Sequence, residues 1–261
     1  MEASKPLGRE SATERPADLK TPRARLGLII PSSNRLCEPQ LHHFAPPGLG
    51  IHIARLRSTG PWHRPISELG DDLKLVAGTL ADAKCDAIVF NCTGGAMEEG
   101  PDAEARAVEV IARETGAQAF ATGAAIVAAL KALMLRKLVL LTPYRQAVND
   151  AEKIYLGQLG FEVVHDIGLN LSGGNEYIHV EPKRWLDLAL EAMDKHPEAD
   201  GLFLSCTNTT QIEIIEEVER ATGRPCINSN QAVLWMACRL LAPQLGGWPR
   251  QPRLGRLFGN A

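Results

Sequence analysis

The chain has 261 residues, 45% hydrophobic and 23% charged, which suits a well-buried core in one large or two small domains and excludes a disordered chain. A formal net charge of −3 and only 5% aromatic residues exclude the basic surface and stacking platforms of a nucleic-acid binder. The six cysteines show no Cys-x-x-Cys spacing that would suggest a metal site, and neither a secretory signal nor a membrane span is evident, so the expectation is a cytoplasmic protein with reduced thiols.

Taken in chain order, residues 1–24 read as a disordered N-terminal arm, polar and interrupted by Pro6, Pro16 and Pro22. A first half, 25–135, opens on the apolar run Leu28–Ile30, which stops at Pro31-Ser32-Ser33-Asn34. A helix is predicted over Asp71–Ala83, with Leu73, Leu75, Val76 and Leu80 at helical spacing. The strand DAIVFNCT ends at Cys92-Thr93-Gly94-Gly95, and a helix over Ala103–Thr115 stops at Gly116.

A second half, 136–243, repeats this plan. Val139–Leu141 stops at Thr142-Pro143-Tyr144, and a helix over Gln146–Leu159 stops at Gly160. After a predicted helix over Lys183–Lys195, DGLFLSCT stops at Cys206-Thr207-Asn208-Thr209, and a helix over Gln211–Thr222 stops at Gly223. Residues 244–261 read as a C-terminal tail on the surface, with Arg250, Arg253 and Arg256 solvated. The helix at 124–135 is the one element that either half could claim.

Buried strands alternating with helices imply a mainly parallel sheet in each half. The predicted fold is therefore α/β, two similar doubly wound, flavodoxin-like halves related by a pseudo-twofold. Ligands of such sheets sit at the carboxyl ends of the strands, which places a site in the cleft between the halves. Matched strand ends would put Cys92 and Cys206 opposite each other. Backbone N–H groups at loop and helix starts ease thiol ionisation, and glycines at positions 94 and 95 let the backbone approach. Cys37, Cys85, Cys226 and Cys238 lack such partners and read as core residues. His42, His43, His52 and His63 read as surface or packing residues. Tyr144 is a candidate oxyanion donor, and Asn175 a candidate ligand contact from the Gly173-Gly174-Asn175 turn. Neither GxGxxG at a βα turn nor GxxxxGK[ST] occurs, which disfavours nucleotide cofactors.

Two α/β halves, each with Cys-Thr after a strand, resemble the aspartate/glutamate racemase superfamily. Pro31-Ser32-Ser33-Asn34, Thr142-Pro143-Tyr144 and Ser229-Asn230-Gln231-Ala232 make the chain similar to the branch that holds maleate cis–trans isomerase and arylmalonate decarboxylase. The resemblance spans Arg25 to Leu241. It implies catalysis by Cys92 and Cys206 without metal or organic cofactor, on a small carboxylic acid. It also implies substrate contacts from Asn34, Tyr144 and Asn175, and a homo-oligomer; Ser32, Thr93 and Thr207 join the candidate binding set from their strand ends. Decarboxylases of the branch keep only the second cysteine, so the pair here favours an isomerase, with a two-cysteine racemase or a decarboxylase as alternatives. A non-catalytic carboxylate-binding protein is the alternative of another class. Arg35, where the branch has a small polar residue, either pairs with an additional carboxylate or points to solvent.

Overall fold

The computed structural model describes residues 21–249 and 251–259. The first half runs β1 (Ala24–Pro31), α1 (Cys37–Phe44), β2 (Leu49–Leu56), α2 (Gly70–Asp82), β3 (Ala87–Phe90), α3 (Thr93–Glu98), α4 (Pro101–Thr115), β4 (Gln118–Ala121) and α5 (Thr122–Ala132). The second runs β5 (Lys137–Thr142), α6 (Gln146–Gln158), β6 (Glu162–Gly168), α7 (Gly174–Tyr177), α8 (Pro182–Lys195), β7 (Gly201–Leu204), α9 (Ile215–Thr222), β8 (Cys226–Asn228) and α10 (Ser229–Leu240). Two short helices follow, α11 (Ala242–Leu245) and α12 (Gly255–Gly259).

Among the described residues the strands form two parallel sheets, ordered β2-β1-β3-β4 and β6-β5-β7-β8. The order is the same in both, as a duplication requires, and is doubly wound as the sequence predicts. β3 and β7 are buried along their whole length, and β1 is buried except at Arg25. Helices cover both faces of such strands, which is why they read as unbroken apolar runs instead of alternating ones. Helix ends follow local chemistry. Pro101 opens α4, and Gly116, at φ +68°, closes it in the left-handed conformation that glycine adopts without strain.

α5 and α10, the helices that follow the last strand of each sheet, pack against each other and join the halves. A single apolar core runs through both sheets, and a smaller cluster lies under α2 and α4.

Three expectations change. Most of the arm assigned to 1–24 lies outside the described residues, but Ala24 is fully buried as the first residue of β1. The helix expected from Gln211 begins as a 3₁₀ turn, Thr210–Ile214, and becomes α-helical at Ile215. The C-terminal segment is no surface tail, since Leu254, Leu257 and Phe258 are buried. Gln231 Nε2 donates to the Leu254 carbonyl at 2.8 Å, and the Arg256 N–H donates to Glu219 Oε2 at 2.8 Å. The arginine spacing drew attention to charge, whereas the three apolar side chains between and after the arginines decide where the segment lies.

Candidate active site

The site is built from strand ends. β1 and β3 lead into Pro31–Asn34 and Cys92–Gly95, while β5 and β7 lead into Tyr144 and Cys206–Asn208; all of these line one cavity of about 710 Å³ between the halves. In each sheet the chain reverses winding direction between the two central strands, and loops leaving there in opposite directions open a crevice.

Both cysteines stand two residues beyond the end of an equivalent strand. Cys92 precedes α3, and its sulfur accepts a hydrogen bond from the Gly95 backbone. A Cβ at position 95 would stand 3.2 Å from that sulfur, so glycine there leaves the sulfur room. Cys206 has φ +150°, a conformation that residues with side chains rarely adopt and keep only where surrounding contacts enforce it. Its N–H donates to Ser229 Oγ at 3.1 Å, and its sulfur accepts from the Asn208 N–H at 3.3 Å and from the Tyr144 hydroxyl. Burial pushes the Cys92 thiol up to about 11 and the Cys206 thiol up to about 12, and the hydrogen bonds pull both back down. Charge on Cys92 also raises Cys206, and charge on either sulfur raises Tyr144, so the site favours at most one thiolate at a time.

Tyr144 is buried, packed edge-on against Tyr177 with ring centres 5.7 Å apart. Burial raises its hydroxyl far above the ordinary value, which keeps it a donor. Thr93 is buried, with a hydroxyl that has no hydrogen-bond partner among the described residues. The first N–H groups of α3 lack partners inside their own helix, as at any helix start.

The other candidate residues divide. Ser32, Ser33 and Asn175 line the cavity at its exposed edge. The Ser32 N–H is occupied by the Leu56 carbonyl at 2.8 Å, which leaves its hydroxyl. Asn175 Oδ1 accepts from the Arg35 guanidinium, so Arg35 is tied to the opposite rim. Asn34 is buried and its amide is fully engaged. Nδ2 donates to the Thr207 carbonyl and hydroxyl, at 3.2 and 3.0 Å, and Oδ1 accepts from the N–H groups of Leu36 and Cys37. Asn34 therefore clasps one half to the other, with Thr207 as its partner. Asn208 reciprocates, its Oδ1 accepting from the Arg35 and Leu36 N–H groups.

Sequence reasoning passed over three contributors. His63, read as a surface or packing residue, lines the cavity beside Glu98, 3.9 Å away. The segment that carries it is fastened by Glu99, whose carboxylate accepts from the Ile66 and Ser67 N–H groups and the Ser67 hydroxyl. Tyr177 forms the wall behind Tyr144. The third, Glu152, is fully buried on α6, where a charge on its carboxyl would raise both cysteines and Tyr144. None of these carries a sequence signal, because each reaches the site by tertiary packing. Cys37, Cys85, Cys226 and Cys238 are buried outside the cavity, as expected of core residues. No cluster of metal-ligating side chains occurs among the described residues.

Paired α/β halves with a cysteine from each lining one cleft define the architecture of the aspartate/glutamate racemase superfamily. Within it, the chain belongs to the arylmalonate decarboxylase family, whose model matches residues 22–258. It is similar to the arylmalonate decarboxylase of Bordetella bronchiseptica, with 32% identity over 156 residues; the match covers 59% of this chain and 64% of that enzyme, just under two thirds of its length. It is also similar to a maleate isomerase of Nocardia farcinica, with 25% identity over 227 residues covering 83% of this chain and 90% of that one. A structure of the Nocardia farcinica maleate cis–trans isomerase, a cysteine-to-serine mutant with a covalently bound succinylcysteine intermediate, superposes with a TM-score of 0.78 at 23% identity, covering 90% of this chain and 98% of that one. This likeness establishes the shared fold.

Proposed function

We propose that the protein is a cofactor-independent isomerase of a small dicarboxylic acid, acting as a maleate cis–trans isomerase through Cys92 and Cys206. The observation that carries this reading is the presence of two cysteines, one from each half, on the walls of the same cavity. A decarboxylating or purely binding site needs no such pair.

Cys92, as the thiolate, forms a carbon–sulfur bond to one alkene carbon of a cis-enedioate. The π electrons move to the neighbouring carbon and into its carboxylate. Cys206 delivers its proton to that carbon, leaving a succinyl thioether whose central bond is single and free to rotate. Cys206 then takes the proton back, the carbon–sulfur bond breaks, and the trans alkene leaves with Cys92 again a thiolate and Cys206 again a thiol. The relative solved with a covalently bound succinylcysteine supports such an adduct on this fold. The negative charge that builds on the carboxylate oxygens is met by the Tyr144 and Thr93 hydroxyls and the first N–H groups of α3. One such donor is typically worth ~3–4 kcal/mol in the transition state. Asn34 and Thr207 act by holding the two walls at fixed separation, and Ser32 and Asn175 meet the substrate at the mouth.

The test is maleate in deuterium oxide, followed by proton NMR. Turnover to the trans isomer is expected, and Cys92→Ala and Cys206→Ala are each expected to fold and to lose about 10²–10⁴-fold in kcat, the usual weight of an acid–base group. Undiminished turnover in Cys92→Ala would sink the two-cysteine mechanism.

A second reading has its own observation. The cavity, about 710 Å³, is far roomier than a four-carbon diacid needs, and Ile66, Leu69, Phe90 and Val148 give it apolar lining. A substituted malonate would fill that space. Decarboxylation would release carbon dioxide and place solvent deuterium at the α-carbon, so the same NMR experiment separates the two reactions. Protein contacts with nucleic acid or membrane find no support in the charge balance, and among the described residues no helix is long and apolar enough to cross a bilayer.

A further inference from the structure

Glu104 and Glu152, a buried carboxyl group from each half, differ in how they are satisfied. Glu104 on α4 has both oxygens in use: Oε1 accepts from the Gly123 N–H at 2.7 Å, and Oε2 accepts from the Tyr155 hydroxyl at 2.7 Å. Such a carboxyl is a strut. Glu152 on α6 is fully buried and, among the described residues, has one hydrogen bond, from Ser205 Oγ to Oε1 at 2.9 Å. Its Oε2 has no partner among them.

A fully buried carboxylate with one bare oxygen is among the costliest groups a protein can contain, so the neutral acid is the form that fits. Ser205, its single partner, directly precedes Cys206, whose backbone is strained. α6 also packs on α3, the helix that follows Cys92. Glu152 therefore touches the support of one thiol, and its helix packs on the helix that follows the other.

We propose that Glu152 is a positioning residue for the thiol pair, a neutral carboxylic acid that braces the Cys206 turn through Ser205 and, by staying uncharged, leaves the cleft able to hold one negative charge on sulfur. This rests on the two-cysteine reading of the site. Ionised, Glu152 would add a second buried negative charge and disfavour the thiolate. Burial pushes its carboxyl up to about 8, opposed by the Ser205 hydroxyl. The groups it acts on are Cys92 before α3, Cys206 after β7 and Tyr144 after β5. α3 adds Glu98, which faces Cys92. On α6 itself Lys153 pairs with Asp150 and with Asp166 of β6. Elsewhere on β6, Glu162 pairs with Lys137 and His165 stacks on His196.

The experiment measures iodoacetamide alkylation of Cys92 and Cys206 against pH, resolved by mass spectrometry, in the wild type, Glu152→Gln and Glu152→Leu. It needs no substrate, so it stands even if maleate is not turned over. Thiol alkylation rates follow the thiolate fraction, so the wild-type rate should rise with pH and then flatten as Glu152 ionises near its raised value. Glu152→Gln keeps the acceptor for Ser205 and cannot ionise. Its rate should match the wild type within about twofold near neutrality and exceed it about fivefold or more above pH ~8.5, a like-charge effect. Glu152→Leu, without the acceptor, should slow Cys206 alkylation at every pH. If maleate is turned over, Glu152→Gln should keep most of its kcat near neutrality while the alkaline fall moves upward. Superimposable alkylation profiles for wild type and Glu152→Gln would overturn the proposal, as would a folded Glu152→Gln with unreactive thiols. Should Glu152→Gln not fold, Ser205→Ala decides. Removing the donor should carry the break in the profile to higher pH, and an unmoved break refutes the assignment.

Discussion

At the scale of single residues, the chemistry of the cleft depends on what surrounds each sulfur more than on the sulfur itself. Cys37 and Cys226 are as buried as Cys206, and burial pushes their thiols up as well, yet neither lines the cavity. Cys206 differs by two donors converging on its sulfur and an acceptor, Ser229 Oγ, for its backbone N–H, and Cys92 by the glycine beside it. The glycines at 94 and 95 are not equivalent. A Cβ at 94 would meet only the Tyr144 ring end at 3.9 Å, ordinary contact, whereas one at 95 would stand 3.2 Å from Cys92 Sγ. Gly95→Ala is therefore expected to fold normally but to displace the sulfur, with turnover and Cys92 alkylation falling about ten- to a hundredfold, the scale of a misplaced reacting group. Gly94→Ala is expected to fall by much less; equal losses in the two variants would remove the steric argument.

At the scale of elements, the ends of the chain show how weak patterns acquire structure from context. Residues 251–259 have too few apolar side chains to form an element alone. They become fixed because Leu254, Leu257 and Phe258 are buried where the segment packs against α9 and β8, with Gln231 of α10 donating to the Leu254 carbonyl and Glu219 receiving the Arg256 N–H. Trp248 stacks on Phe258 at 5.5 Å and donates to its carbonyl. Phe258→Ala is expected to lower unfolding free energy by ~3–5 kcal/mol, the usual cost of deleting a buried aromatic ring, readable as a shift in denaturant midpoint. A shift near zero would mean that the segment is not seated in solution. The 3₁₀ start before α9 has a similar origin: Gln211 turns inward to donate to the Leu141 carbonyl and accept from the Thr209 hydroxyl, which tightens the first turn.

At the scale of the whole molecule, the halves are held apart and together by polar side chains, and the buried carboxyl groups make that arrangement sensitive to pH. Glu104, Glu152 and Glu219 are all raised by burial. A carboxyl raised in the folded state binds its proton more tightly there than when unfolded. Its contribution to stability is complete below the unfolded value and is lost as pH climbs through the folded one. For Glu152 that window runs from about 4.5 to about 8. Asp166 works in the opposite sense: Lys153, Gln146 and Asn149 hold it below its ordinary value, so its share is lost only on acidification. Thermal unfolding is therefore expected to show highest Tm near pH ~5 and a decline toward alkaline pH that is smaller in Glu152→Gln. A Tm that climbs steadily to pH ~9 would contradict the buried-acid account.

The sequence by itself determined the architecture and the two cysteines. Parallel strands buried on both faces must be continuous apolar runs, and a duplicated fold must place equivalent strand ends in register, so DAIVFNCT and DGLFLSCT carried both the sheet plan and the pair of thiols lining the cleft in local, readable form. Only the tertiary structure decided what the cleft holds beyond them. Asn34 reads as a ligand contact until Thr207 is found using its amide. His63 reads as surface until its loop folds over the cavity. Glu152 carries no signal in the sequence, and only the packing of α6, which contacts α3, buries it. Such roles depend on which groups from distant parts of the chain come to rest within hydrogen-bond reach. Chain folding sets that proximity, and no spacing along the sequence encodes it.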